Sequence, residues 1–177
     1  MAEFPPPALT QAAEAVSKIL RDRNETISVA ETASGGLISA ALLATPGASR
    51  IYKGGATLYT LESRIAFAGW TQADIDNYHG PNPGLVAGLA KHIRTTLKST
   101  YTVGESGTAG PTSSRMSPNG QPGYVALAVV GDNGTLSRDL NTGLGGDRPA
   151  NMVAFAVEAL KLVEEFIAKD GLSGGNM

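Results

Sequence analysis

The chain has 177 residues, which suits one domain at about 150 residues each and allows about 70% of the unfolded surface to be folded away. Lys and Arg total 14 against 16 Asp and Glu, a net charge of −2, which speaks against non-specific nucleic-acid binding and against a polybasic membrane patch. Cysteine is absent and histidine occurs twice. That excludes disulfides, thiolate nucleophiles and Cys-ligated zinc, leaves too few imidazoles for most catalytic metal sites, and leads us to expect no metal and no cofactor.

The first residues, Met1 to Pro7, have neither a basic stretch nor an apolar one, and nothing approaches the roughly 18 apolar residues of a membrane helix. The expectation is a soluble, cytoplasmic protein with a proline-rich cap over residues 1–8, a single domain over 9–168 and a flexible tail over 169–177. Leu9, Ala12, Ala13, Val16, Ile19 and Leu20 recur at helical spacing, and Arg21 to Glu25 end that helix. Thr26 to Ala30 is β-prone, Thr32 to Gly36 breaks the run, and Leu37 to Ala44 predicts a buried helix stopped by Pro46-Gly47. A strand is expected over 55–60, followed by short helices near 61–67 and 72–78. His79 to Gly84 is a turn cluster, and Leu85, Leu89, Ile93 and Leu97 mark one stripe of a helix. Tyr101 to Ser106 predicts a strand and 112–121 a polar surface loop. Tyr124 to Val130 and Thr135 to Asn141 predict strands joined by a hairpin at Asp132-Asn133-Gly134. The last helix follows Gly145 to Pro149, with Val153, Val157, Leu160, Val163 and Ile167 on one face.

This order predicts an α/β fold: a three-layer α/β/α sandwich around a mixed sheet with at least one antiparallel strand. In open α/β sheets the ligand crevice lies beyond the carboxyl ends of the strands, where three small-residue turns fall: Thr32 to Gly36, Tyr59 to Arg64, and Gly107 to Pro111. Backbone amides at Ser34-Gly35-Gly36, opening a helix, and at Gly107-Thr108-Ala109-Gly110 are candidates to cradle a phosphate. On composition alone, glycines that merely permit tight turns are the stronger reading, since neither turn matches an established phosphate-binding pattern. Hydroxyls crowd the same turns, at Thr32, Ser34, Tyr59, Thr60, Ser63, Ser106 and Thr108, but no histidine lies there to act as base. His79 reads as a turn or rim residue and His92 as a surface residue. Glu31 and Glu62 are the carboxylates nearest these turns. Each is a base or orienting group on one reading, and an ion-pair partner of Arg64 or Arg148, or a helix N-terminal charge, on the other. The plainer reading is favoured for Glu62, and the two are balanced for Glu31. Asp147 reads as the N-cap of the last helix. Arg148, opposing that helix's dipole, is a candidate to pair with a phosphate or carboxylate.

Taken in order, Ala30-Glu31-Thr32-Ala33-Ser34-Gly35-Gly36, Gly55 to Tyr59, Glu62-Ser63-Arg64, Ser106 to Pro111 and Gly146-Asp147-Arg148 resemble the CinA C-terminal domain. This is the competence/damage-inducible family whose bacterial members include nicotinamide mononucleotide deamidases. The resemblance spans about residues 9 to 167. It implies a mixed, mostly parallel five-stranded sheet, a homodimer or higher homo-oligomer, and hydrolysis of the nicotinamide amide to nicotinate mononucleotide and ammonia. A pyridine mononucleotide is then the expected small-molecule substrate.

The family pattern at the first turn is Ala-Glu-Ser-Cys-Thr-Gly-Gly, whose Ser is the proposed nucleophile; here that position is Thr32, followed by Ala33. The second pattern is Tyr-Ser-Asn-Glu-Ala-Lys, whose Lys is the proposed base; here it reads Tyr59-Thr60-Leu61-Glu62-Ser63-Arg64. The resemblance thus implies Thr32, Tyr59 and Arg64 as catalytic positions. It implies Glu31, Ala33, Ser34, Gly35, Gly36, Glu62, Gly107, Thr108, Ala109, Gly110 and Arg148 as substrate-binding ones. An Arg holds its proton at any pH a protein survives, and a Thr methyl crowds the attacked carbonyl. Thr32 would need its base from Glu31, Glu62, Tyr59 or water. Three readings follow. One is an amidohydrolase in which Thr32 attacks and Arg64 binds substrate charge. The second binds a nucleotide without hydrolysing it, and the third uses Glu31 or Glu62 for a different chemistry.

Overall fold

A computed structural model describes residues 4–173. In chain order the elements are α1 (Pro7–Arg23), β1 (Ile27–Glu31), α2 (Leu37–Ala44), β2 (Tyr52–Thr57), α3 (Leu61–Ala68), α4 (Gln72–Asp76), α5 (Pro83–Leu97), β3 (Tyr101–Gly107), β4 (Tyr124–Gly131), β5 (Gly134–Asn141) and α6 (Arg148–Ser173). The five strands form one sheet in the order β2-β1-β3-β4-β5. β1 pairs parallel with β2 and β3, while β4 runs antiparallel to both its neighbours, so four strands share one direction.

Side chains alternate across the sheet, and the alternation sorts the core into two layers. Ile27, Val29, Tyr101, Val103, Val125, Leu127 and Val129 face α1, α2 and α6. Ala30, Ala126 and Ala128 face the other way, toward α5 and its Val86 and Leu89. By the same period Glu31 and Glu105 belong to the first face, Thr32 and Ser106 to the second. α5 lies so close to the sheet that a Cβ on Gly104 would stand 2.7 Å from Val86 Cγ1 and 2.8 Å from its carbonyl oxygen.

Three boundaries differ from expectation. β2 occupies 52–57 instead of 55–60. The Leu58 amide makes the last bond to β1, at the Glu31 carbonyl (2.7 Å), and the chain then turns so that Thr60 caps α3 by accepting from the Ser63 amide at 3.2 Å. The first helix begins at Pro7, inside the expected cap, as suits a proline at a helix start. α6 continues to Ser173, past the expected start of the tail at 169. Its final turns are tied down at Asp170, whose Oδ2 accepts from Tyr101 Oη at 3.1 Å and whose Oδ1 accepts from Asn133 Nδ2 at 2.5 Å. The rest of the expected tail, 174–177, lies outside the described residues. His92 is half-buried instead of surface-exposed; its imidazole sits where a Cβ on Gly69 would come within 2.7 Å. Among the described residues no helix is long and apolar enough to cross a membrane.

Gly104→Val is expected to destabilise the fold by about 1–3 kcal/mol, as overpacking does, because the atom it meets on Val86 includes fixed backbone. Thermal unfolding measures this, and an unchanged melting temperature contradicts the close packing of α5.

Candidate functional site

The turns after β1, β2 and β3 converge at the carboxyl ends of the parallel strands, as expected of this architecture. They enclose a cavity of about 420 Å³, within the roughly 300–1,000 Å³ range of small-molecule sites. Thr32 and Ala33 come from the first turn, Tyr59, Thr60, Leu61 and Arg64 from the second, and Ser106 to Gly110 from the third. Tyr78, Pro81, Thr112, Ser114 and Arg148 complete the wall. Hydroxyls and two arginines line it, and no carboxylate does.

Five expected site residues stand elsewhere. Ser34, Gly35 and Gly36 belong to the first turn but do not line the cavity, Glu31 is buried at the end of β1, and Glu62 is exposed on the first turn of α3. Glu31 is fully buried and makes no ion pair. Its Oε1 accepts from the Ser39 amide (3.1 Å) and Ser39 Oγ (2.7 Å), and its Oε2 from the Ile38 amide (3.1 Å). It therefore caps α2 with its negative charge at the positive end of the helix. The helix-charge reading describes Glu31, and an ion pair does not.

A second carboxylate, absent from the sequence reading, stands beside it. Glu105 Oε2 accepts from the amides of Thr32 (2.9 Å) and Ser34 (3.0 Å). The amides expected to cradle a phosphate at 34–36 are thus largely spoken for from within the chain. The Gly35 amide donates to the Thr32 carbonyl at 3.1 Å, and both glycines have positive φ, +68° and +96°. The plainer reading of these glycines, tight-turn geometry, is the one realised. Glu105 left a trace in the sequence. It sits two and four residues after Val103 and Tyr101, on the same core-facing side of β3, where a carboxylate needs a reason.

Ser34 Oγ lies 2.6 Å from Glu31 Oε2 and 2.7 Å from Glu105 Oε2. A hydroxyl carries one hydrogen, so two ionised carboxylates cannot both be satisfied by it. A second proton on the group resolves the conflict. Burial pushes Glu105 up to about 7, with a further push from the Glu31 charge, against the downward pull of its bonds from Ser34 and Thr32. Its Oε1 is buried and without a partner, a position that a protonated carboxyl tolerates better than a carboxylate.

On the cavity side, Thr32 Oγ1 donates to Ser106 Oγ at 3.0 Å, both side chains being buried. Tyr59 is 60% exposed at the rim, and its Oη accepts from Arg148 Nη2 at 3.0 Å. Arg148 Nη1 donates to the Gly110 carbonyl at 2.7 Å, so this arginine ties the second turn to the third. Gly110, at φ +93°, passes so near Gly146 and Pro122 that a Cβ would lie 3.1 Å from each. Asp147 caps α6 as expected, accepting from the Ala150 amide at 3.1 Å. The buried Asn151 fixes the loop further, donating to the Ala109 and Gly145 carbonyls at 2.9 Å each. Arg64 is 3% exposed. Its Nε donates to the Leu58 carbonyl at 3.3 Å, and its Cζ lies 5.0 Å from the Trp70 ring centroid and 5.2 Å from that of Tyr78.

The molecule is thus a three-layer α/β/α protein with a polar, carboxylate-free cavity at the carboxyl ends of its parallel strands. A family model of the CinA C-terminal domain matches residues 9–167, and the chain belongs to that family. It is similar to a CinA-like protein of Frankia casuarinae, 31% identical over 90% of this chain and 35% of the relative. It is also similar to a CinA-like protein of Fervidobacterium nodosum, 33% identical over 76% of this chain and 32% of the relative. The chain therefore spans about a third of the length of these curated relatives. Among solved structures it is similar in fold to the competence/damage inducible protein CihA from Agrobacterium tumefaciens. That match has a TM-score of 0.82 and 24% identity, covering 92% of this chain and 97% of that one. A CinA superfamily protein from Klebsiella pneumoniae matches with a TM-score of 0.81 and 20% identity, covering 91% and 98%.

Glu105→Gln tests the shared proton. Folding holds a proton on Glu105 between its ordinary value near 4.5 and about 7. The stability this contributes is complete below 4.5 and is lost as pH rises through 7. A glutamine stays neutral, so the variant is expected to melt near the wild type at pH 5 and above it at pH 8, by up to about 3 kcal/mol. A difference that stays flat across that range rules out the shared proton.

Proposed function

We propose that this cavity binds a pyridine mononucleotide or a close relative, and that the hydrolytic step is lost or severely slowed. The ligand class rests on the ordered motif resemblance together with a cavity of suitable size. The observation that carries the loss of turnover is Arg64, at the position of the family's proposed base and lining the same cavity as Thr32. A guanidinium does not give up its proton, so it cannot take one from Thr32. Among the described residues no carboxylate, amine or phenol is hydrogen-bonded to Thr32 Oγ1, which donates to Ser106, itself a hydroxyl. Glu31 is engaged by α2, and Glu62 is outside the cavity. Loss of a base of this kind lowers rates by several orders of magnitude.

The Thr32–Ser106 pair favours a second reading, a slow amidohydrolase in which Thr32 attacks the amide carbon and ammonia leaves. A homo-oligomer, implied by the same resemblance, is part of neither test below and is proposed separately as an expectation for solution scattering.

Two measurements separate the readings. Nicotinamide mononucleotide is expected to raise the melting temperature of the wild type without releasing ammonia beyond a Thr32→Val control. Release at tenfold the control or more establishes the amidohydrolase instead. The double variant Thr32→Ser with Arg64→Lys restores a nucleophile and a titratable amine, and is expected to gain ammonia release. If it folds, binds the nucleotide and stays inert, the missing base is not what prevents turnover.

A further inference from the structure

Arg64 is the residue of the cavity whose charge the fold leaves unanswered. It is almost wholly buried, and among the described residues no carboxylate lies within ion-pair distance of it. Its Nη1 is buried without a hydrogen-bond partner. Trp70 and Tyr78 offer their rings at 5.0 and 5.2 Å, contacts that attract a cation only weakly. Removing a full charge from water costs more than such contacts return. The rings therefore orient the guanidinium without neutralising it. Arg115 adds to the imbalance, its Cζ lying 5.4 Å from the same Tyr78 ring. Arg148 lines the cavity as well, and no acidic side chain does.

The guanidinium is planar, and its position is fixed from three sides, by the Leu58 carbonyl and the two rings. With Nε taken by Leu58 and Nη1 buried, the cation asks less for a two-bond fork than for an opposite charge. A carboxamide brings no charge and sets an N–H₂ group against the cation. A carboxylate supplies the missing charge.

We propose that the Arg64 subsite takes a carboxylate carried on an aromatic or heterocyclic ring, so that the pocket selects the acid over the corresponding amide. The carboxylate rests on the unanswered charge of Arg64, and the ring that carries it, with the rest of the ligand, on the mononucleotide reading above. In this chain the subsite holds the deamidated form of what the related enzymes are expected to cleave. Arg64 is then a specificity residue: it recognises the acid and performs no proton transfer.

Calorimetric titration tests this with two matched pairs that differ only in acid against amide: nicotinate and nicotinamide mononucleotide, and benzoate and benzamide. In the wild type each acid is expected to bind at least tenfold more tightly than its amide. Arg64→Met is expected to bring each pair within about threefold, and Arg64→Lys, which keeps a cation and guards against simple misfolding, to retain part of the preference. Equal binding of acid and amide by the wild type overturns the proposal while leaving nucleotide binding intact. If neither nucleotide binds but benzoate binds over benzamide in an Arg64-dependent way, the mononucleotide reading falls and the carboxylate subsite stands. If inorganic phosphate at equal concentration displaces benzoate as well as nicotinate mononucleotide does, the subsite is a general anion site and the selection for a carboxylate is wrong.

Discussion

Two carboxylates on adjacent parallel strands, Glu31 at the end of β1 and Glu105 near the end of β3, converge on one serine hydroxyl. They extend by one step the register that pairs Ala30 with Gly104, so two like charges would stand side by side. Such neighbours repel, and burial makes the repulsion stronger. What makes the arrangement tenable is that each carboxylate answers backbone amides that have no other acceptor. Glu31 takes the first free amides of α2, and Glu105 takes those of the turn before it. The β1–α2 connection is therefore held from beneath at four amides, those of Thr32, Ser34, Ile38 and Ser39. Thr32, on top of that connection, is presented to the cavity by a backbone with little freedom left.

This settles how the two faces of the turn divide their work. Alternation along the strand sends Glu31 down and Thr32 up, Glu105 down and Ser106 up. The lower face holds two buried carboxylates and is structural. The upper face is lined by hydroxyls and arginines and, among the described residues, by no acid. An anion entering the cavity meets cations on its walls, while Glu31 and Glu105 are buried below and committed to amides. The positive end of α2, a candidate anion site in the sequence, receives the charge of the protein's own Glu31.

Most of the architecture was legible because it depends on periodicity and punctuation. The 3.6-residue stripes of α1, α5 and α6, the two-residue hairpin at Asp132-Asn133 and the glycine turns fix the order of elements and the mixed sheet. The convergence of Thr32, Tyr59, Arg64, Gly107 to Gly110 and Arg148 was legible for a related reason, since strand ends in this topology meet on one side. What was not legible depends on burial and on partners distant in sequence. Glu105 is an ordinary acid in a polar-looking stretch until β3 is known to be a central strand. Glu31 resembles a catalytic acid until Ile38 and Ser39 are seen to reach back to it. The end of β2 fell short of expectation because Thr60 caps α3, which composition does not reveal.

The same contrast bears on Arg64. In sequence it is a lysine-to-arginine exchange, conservative in charge. In place it changes the kind of work the position can do. An ammonium in an apolar, ring-lined slot could shed its proton, because desolvation disfavours the charged form. A guanidinium in that slot stays charged, and desolvation makes it a stronger electrostatic partner instead of a neutral amine. The Thr32 methyl acts in the same direction, narrowing the approach to a carbonyl carbon while leaving a hydroxyl to hydrogen-bond. Both exchanges work against proton transfer, and both fall on a cavity whose wall is polar and cationic. A site that had simply decayed would be expected to lose the buried charge first, since an unpaired arginine is expensive to keep. That this chain has it, packed beside Trp70 and Tyr78 with no carboxylate among the described residues at ion-pair distance, is the physical argument for a ligand that supplies the opposite charge.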